Sequence, residues 1–155
     1  MANNKVLIAS TAITVPTWTM NGLANGAGRV SSQIDLGPAS RPRRFRWDAV
    51  AVFNATGLVQ YEELEFYAAG TLQSDNTKVH GALGVTDTAL SDTNQVRNLD
   101  HIGSVVVEDV TTNEMIAGSE FEFSGRYLSL VGFNNAGGSL TTLSFTLEQI
   151  PDEIE

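Results

Sequence analysis

Two histidines, a compact run of arginines and a short acidic strip are the residues whose types could support chemistry or recognition in this chain. His80 and His101 are the imidazoles, and His101 directly follows Asp100. Acid–base or nucleophilic catalysis needs convergent groups, with a base oriented by a third residue. Adjacent positions in a chain do not supply that geometry, and no serine stands in a G-x-S-x-G setting. No catalytic residue is therefore assigned, and no enzymatic activity is expected. Gly26-Ala27-Gly28 opens like a dinucleotide fingerprint, but the third glycine is missing and a strand is expected to follow instead of a helix. Asp75-Asn76 and Asp92-Thr93-Asn94 offer oxygens without the spaced ligand series of a calcium loop, so turn and helix-capping roles are expected. Asn54-Ala55-Thr56 has the form of a glycosylation sequon and reads as a turn. Cysteine is absent. That removes disulfides and leaves zinc only two histidines and carboxylates, so neither metal nor cofactor is expected.

Charge is more informative. The 155 residues carry a formal net charge of −9, from 9 basic and 18 acidic side chains. Nucleic acid binds proteins chiefly through cations that neutralise phosphates, so it is not an expected partner. No apolar run approaches the ~20 residues needed to span a bilayer, and no membrane partner is expected. Four of the nine basic residues, Arg41, Arg43, Arg44 and Arg46, nevertheless fall within six positions. One reading is a solvated cluster paired with Asp35 or Asp48, each such pair contributing about 0–1 kcal/mol. The other is a docking patch for an acidic surface, such as Glu62, Glu63 and Glu65 of another copy or the terminal Pro-Asp-Glu-Ile-Glu. Arginine suits that role because its planar fork binds carboxylates in bidentate fashion. Trp18, on a Gly/Asn-rich loop, either folds back as a lid on the core or anchors an interface.

The elements that must position these groups are strands. Val6 to Val15 reads as a first strand or extended arm rather than a signal peptide, and residues 17–28 as a loop. Val30, Ile34 and Leu36 share one phase up to the break at Gly37-Pro38. In Arg43–Phe53, the residues Phe45, Trp47, Ala49, Ala51 and Phe53 line one face. The other face turns apolar at Val50 and Val52, as expected of a strand running into burial on both sides. Leu64, Phe66 and Ala68 face inward in the next strand, with Glu63, Glu65 and Tyr67 outward. Periodicity fades over residues 71–103, where a short helix at 91–99 could be capped by Ser91 or Asp92. Val105–Val110 reads as a strand and Glu120–Phe133 as a long one, with a register-shifting bulge at Gly125 or burial of both faces. Residues 119–150 read as a hairpin around Asn134-Asn135-Ala136-Gly137-Gly138. The expected fold is all-β: one antiparallel β-sandwich domain over 1–155, with about eight strands, an N-terminal arm and loop (1–28), a long irregular insertion (71–103) and an acidic tail (151–155). Jelly-roll topology is the first choice and an immunoglobulin-like sandwich the second.

Several segments together resemble small bacteriophage capsid decoration, or cement, proteins of the jelly-roll type. They are SSQIDLG at 31–37, RRFRWDAVAVF at 43–53, GALGVTDTALSDTNQVRNLDHIGSVVVEDV at 81–110, RYLSLVGFNNAGG at 126–138 and IPDEIE at 150–155. The resemblance implies a protein made in the host bacterial cytoplasm that resides on the capsid exterior of the virion. It would be a homodimer or homotrimer and would bind the major capsid protein, bridging neighbouring subunits. A carbohydrate-binding module using Trp18, Trp47, Tyr61 or Tyr67 as a stacking platform is the alternative of a different class. A tail or baseplate component is a third.

Overall fold

The structure, a computed structural model, describes residues 10–15, 17–38, 42–71 and 79–151. Arg41, Asp75-Asn76, most of the expected N-terminal arm and the last four residues lie outside the described residues. Among the described residues, ten strands run in chain order: β1 (Thr11–Ile13), β2 (Ala27–Val30), β3 (Ile34–Asp35), β4 (Arg43–Phe53), β5 (Glu63–Thr71), β6 (Thr88–Ala89), β7 (Asp100–Val106), β8 (Glu114–Phe123), β9 (Tyr127–Asn135) and β10 (Leu140–Ile150). Sheet A has the order β1-β10-β4-β8, and sheet B the order β6-β2-β9-β5-β7, with β3 joined to β9.

The pairing has a simple logic. β1 pairs with β10, β2 with β9, β4 with β8 and β5 with β7, every pair antiparallel. The first half of the chain is thus zipped to the second half in mirror order, as a long two-ply ribbon turned back between β5 and β7. Successive segments of the ribbon alternate between the sheets, which is jelly-roll connectivity. The all-β sandwich expected from strand periodicity holds.

The core lies between the sheets. From β4, Phe45, Trp47, Ala49, Ala51 and Phe53 are at most 1% exposed, and Leu64, Phe66 and Ala68 of β5 face them. Trp47 stacks on Phe145 at 5.6 Å and meets Phe66 edge-on at 5.1 Å. Its indole N–H is satisfied because the β5–β7 register shifts between Phe66 and Tyr67, bulging Ile102 out of the ladder. The Ile102 carbonyl accepts the indole hydrogen bond at 3.0 Å. Gly103, with φ of 133°, makes room: a Cβ there would stand 2.6 Å from the indole ring.

Several expectations are corrected. Residues 120–133 form two strands, not one bulged strand. β8 belongs to sheet A and β9 to sheet B, and Ser124-Gly125-Arg126 carry the chain across. The change of apolar phase after Gly125 marks this crossing. Phe121 and Phe123 face the core from one sheet, Leu128 and Leu130 from the other. Gly125 is required there because a Cβ would stand 2.6 Å from the Phe123 ring. The other option, burial of both faces, does describe β9: Leu128 and Leu130 enter the main core, and Val131 enters a second cluster on the outer side.

The 119–150 segment is likewise no hairpin. β9 and β10 lie in opposite sheets, and Ala136–Ser139 bridge the sandwich. Buried Asn134 ties this bridge: its amide donates to the carbonyls of Leu23 and Gly138, and its Oδ1 accepts from the Ala136 N–H. The strand expected around 30–36 breaks after Val30, so Val30 joins the outer cluster while Ile34 joins the core. Ser31 sits at the break, buried, and its hydroxyl accepts the Leu130 N–H. The strand expected at 105–110 instead spans Asp100–Val106. Val50 and Val52 are only half-buried, since the outer face of sheet A stays open: Ile116, opposite Val50, is 72% exposed.

The outer face of sheet B is different. Residues 79–99 fold over it and bury Val79 and Leu83 against Val30, Ala69 and Val131. The short helix expected here is a 3₁₀ turn at Thr93–Asn98 with a complete capping box: Asp92 accepts from Asn94 N–H, and Gln95 reaches back to the Asp92 N–H. This pair satisfies donors that would otherwise be orphaned at a helix start.

Candidate interaction surface

The groups that could have done chemistry are engaged elsewhere or stand apart. His80 borders a wide depression with Asp92, Asn94, Gln95 and Asn98, but Asp92 and Gln95 belong to the capping box. Gln95 also donates to the Gly81 carbonyl at 2.9 Å. His101 lies edge-on to Tyr67 at 5.2 Å. Successive strand residues point to opposite faces, so Asp100 does not orient it. Asn54 Oδ1 accepts the Thr56 N–H at 3.0 Å, making the sequon an Asx-turn. Among the described residues, no group of three or more His, Asp or Glu side chains is placed to hold a metal ion.

Trp18 takes the lid position. It packs edge-on against Phe145 at 5.2 Å and Phe66 at 6.0 Å, and its indole N–H donates to the Arg29 carbonyl. Asp87 locks the lid to the outer layer. Its carboxylate accepts from both the backbone and the hydroxyl of Thr19, and from Arg29 Nε at 2.5 Å. Burial pushes the Asp87 carboxyl up, but the hydrogen bonds from Thr19 and Arg29 outweigh it and hold it below its ordinary value.

The arginine cluster separates into different roles. Arg43 donates to the Gly37 and Pro38 carbonyls at 2.9 and 3.2 Å, securing the turn before β4. Arg44 pairs with Glu120 at 2.9 Å and Arg46 with Glu148 at 3.2 Å, all on the open face of sheet A. These partners replace the expected Asp35 and Asp48, because sheet register sets neighbours across strands: Arg46 stands directly opposite both Glu120 and Glu148. Asp35 instead takes a bidentate bond from Arg126 at 2.7 and 2.8 Å. That bond, with the Gly37 N–H, holds the Asp35 carboxyl down at about 2.

Glu63 and Glu65 lie on the other side of the molecule, on the outer face of sheet B beside β7. Glu63 accepts from the Ser104 hydroxyl and Glu65 from the Tyr67 hydroxyl. Burial, then the Glu65 hydrogen bond, pushes the Tyr67 phenol well above its ordinary range. Glu62 sits in the approach to β5, its carbonyl accepting the Val107 N–H at 2.9 Å. Arg44 and Arg46 on one side and Glu63 and Glu65 on the other therefore occupy opposite faces of the sandwich. Arginine-to-glutamate docking between copies would be a heterologous contact, which closes only into rings.

Sequence reasoning missed a third surface. Among the described residues, the exposed large hydrophobics are Val59 (45%), Tyr61 (76%), Val106 (37%), Val110 (43%) and Ile116. All but Ile116 belong to the β4–β5 connection and the end of β7 with its following turn, at one end of the sandwich. The two stretches are stitched together: Tyr61 N–H donates to the Val107 carbonyl at 2.8 Å, and the Gln60 amide donates to the Glu108 carbonyl at 2.9 Å. Tyr61 has φ of 68° and, glycines aside, is the described residue with a positive φ. That conformation costs a bulky residue about 1–3 kcal/mol. The available sequence signal is Leu58, Val59 and Tyr61, large apolar side chains in the connection before β5, which begins at Glu63. No protein-family model matches the chain, and comparison with curated proteins and with solved structures finds no match.

Proposed function

We propose that the chain is a structural virion protein that binds the outside of an assembled phage capsid and stabilises it by bridging neighbouring capsid subunits. The observation that carries this reading is the resemblance of five segments to jelly-roll decoration proteins; their described residues fall mostly on strands of both sheets and on the 79–99 cover. The electrostatics support it: an acidic body with paired surface arginines suits a protein surface better than nucleic acid. Many weak contacts repeated over a lattice sum to tight retention through effective concentration. In this reading the protein acts as a homo-oligomer on the capsid exterior, after synthesis in the host cytoplasm.

The carbohydrate-binding alternative loses its platform. Trp47 is inside the core and Trp18 is its lid, and Tyr67 is half-buried, which leaves Tyr61 alone well exposed. Cosedimentation with capsids expanded in the absence of this protein, beside a glycan panel, separates the readings. Saturable, stoichiometric capsid binding is expected. Glycan binding without capsid association would sink the proposal, and association with tails alone would favour the baseplate alternative.

A further inference from the structure

We infer that the end formed by the β4–β5 and β7–β8 connections docks on the partner protein, with Tyr61 as its anchor and Val59, Val106 and Val110 around it. The inference rests on the decoration reading, which makes that partner the capsid surface. The partner site has a defined chemistry: an apolar socket rimmed by lysine and arginine.

The first observation is the placement of the apolar side chains. Four valine or tyrosine side chains stand 37–76% exposed on adjoining segments joined by backbone hydrogen bonds. Scattered single hydrophobics on a surface need no explanation, but a cluster at one end does. The second is Tyr61 itself. Asparagine or glycine tolerates φ near 68° with little strain, whereas tyrosine does not. The residue is 76% exposed and so adds little to the core. The strained backbone is held by the bond to Val107 and presents an aromatic group outward. Rigid aromatic anchors with little conformational entropy to lose are the side chains most often dominant in interfaces.

The third observation selects the occupant. Residues 54–63 and 106–114 contain Glu62, Glu63, Glu108, Asp109 and Glu114 and no lysine or arginine. Hydrogen bonds from the Thr111 N–H and hydroxyl lower the Asp109 carboxyl, keeping it ionised. A second copy joined through the same end would bring these acids face to face, so self-association there is opposed. A cationic rim around an apolar socket complements the charge and the shape.

The test uses the full chain and shells expanded without it. Tyr61→Asn is expected to keep or raise the melting temperature, by relieving the backbone, while weakening shell binding about tenfold or more. Glu108→Lys combined with Asp109→Lys is expected to weaken binding to a similar degree and to reduce its salt dependence. Arg44→Glu with Arg46→Glu, on the open sheet-A face, is expected to leave binding unchanged. Should wild-type protein bind while Tyr61→Asn and the lysine pair bind equally well, the docking end is wrong and the decoration reading stands. Loss of binding on arginine reversal alone would move the contact to sheet A. Failure of the wild-type chain to bind any shell would overturn both.

Discussion

At the scale of single residues, the structure depends on a few exact fits. Trp47 is the largest fully buried side chain, and its one polar atom needs the bulged Ile102 carbonyl. Gly103 supplies both the backbone angle and the space for that arrangement. Gly103→Ala combines a disfavoured φ with a clash against the indole and is expected to destabilise the fold by about 2 kcal/mol or more. A denaturant midpoint lowered at unchanged slope would show it, and an unchanged midpoint would mean that the indole is not held there. Asp87 gives a pH-dependent counterpart. Its folded-state carboxyl is lowered, so its contribution is present above the unfolded value of about 3.9 and is lost as pH falls through the folded value. Asp35 behaves in the same sense, between 3.8 and about 2. Asp87→Asn is expected to lower thermal stability at pH 7 and to make the remaining acid dependence shallower. A variant with the wild-type acid profile would contradict the assigned partners, Thr19 and Arg29.

Strands such as β4 and β5 were legible in the sequence because each sets one face against the core and alternates cleanly. The Asp92 cap was legible because capping chemistry is local. What was not legible is which sheet a strand joins. Period-2 alternation fixes the buried face of a strand but carries no information about its neighbour, so β9 and β10 looked like the arms of a hairpin. The same ambiguity made the crossing at Ser124–Arg126 resemble a bulge. The pairing of β8 with β4 and of β9 with β5 reveals the change of layer, and the Phe123 ring sits against Gly125 and Gly70 at the crossing. Gly125→Val is therefore expected to disrupt the passage between sheets and to cause a large loss of stability, measurable as a melting temperature lowered by several degrees or more. A well-tolerated valine would instead support a simple bulge. The 79–99 segment was legible as irregular and long but not as a cover, since its contacts with Val30, Ala69 and Val131 are remote in sequence.

At the scale of the whole molecule, the surfaces divide by chemistry. The open face of sheet A carries arginines already paired with glutamates across strands. Sheet B is partly roofed by residues 79–99. One end gathers exposed apolar side chains among acids. The arginine cluster was visible in the sequence and its pairing was not, because Glu120 and Glu148 lie far from it along the chain. The apolar end was hidden for the opposite reason. Val59, Tyr61, Val106 and Val110 resemble ordinary strand and turn residues until the fold brings their segments together.

The proposed role of this protein is to decorate and strengthen a phage shell. Titrating the full chain onto shells expanded without it, while counting bound copies and following the temperature of shell rupture, tests that claim most directly. The expected result is saturation at a fixed ratio to the major capsid protein, with a rupture temperature that rises as sites fill. Binding that never saturates, or saturation with no rise in rupture temperature, would contradict it.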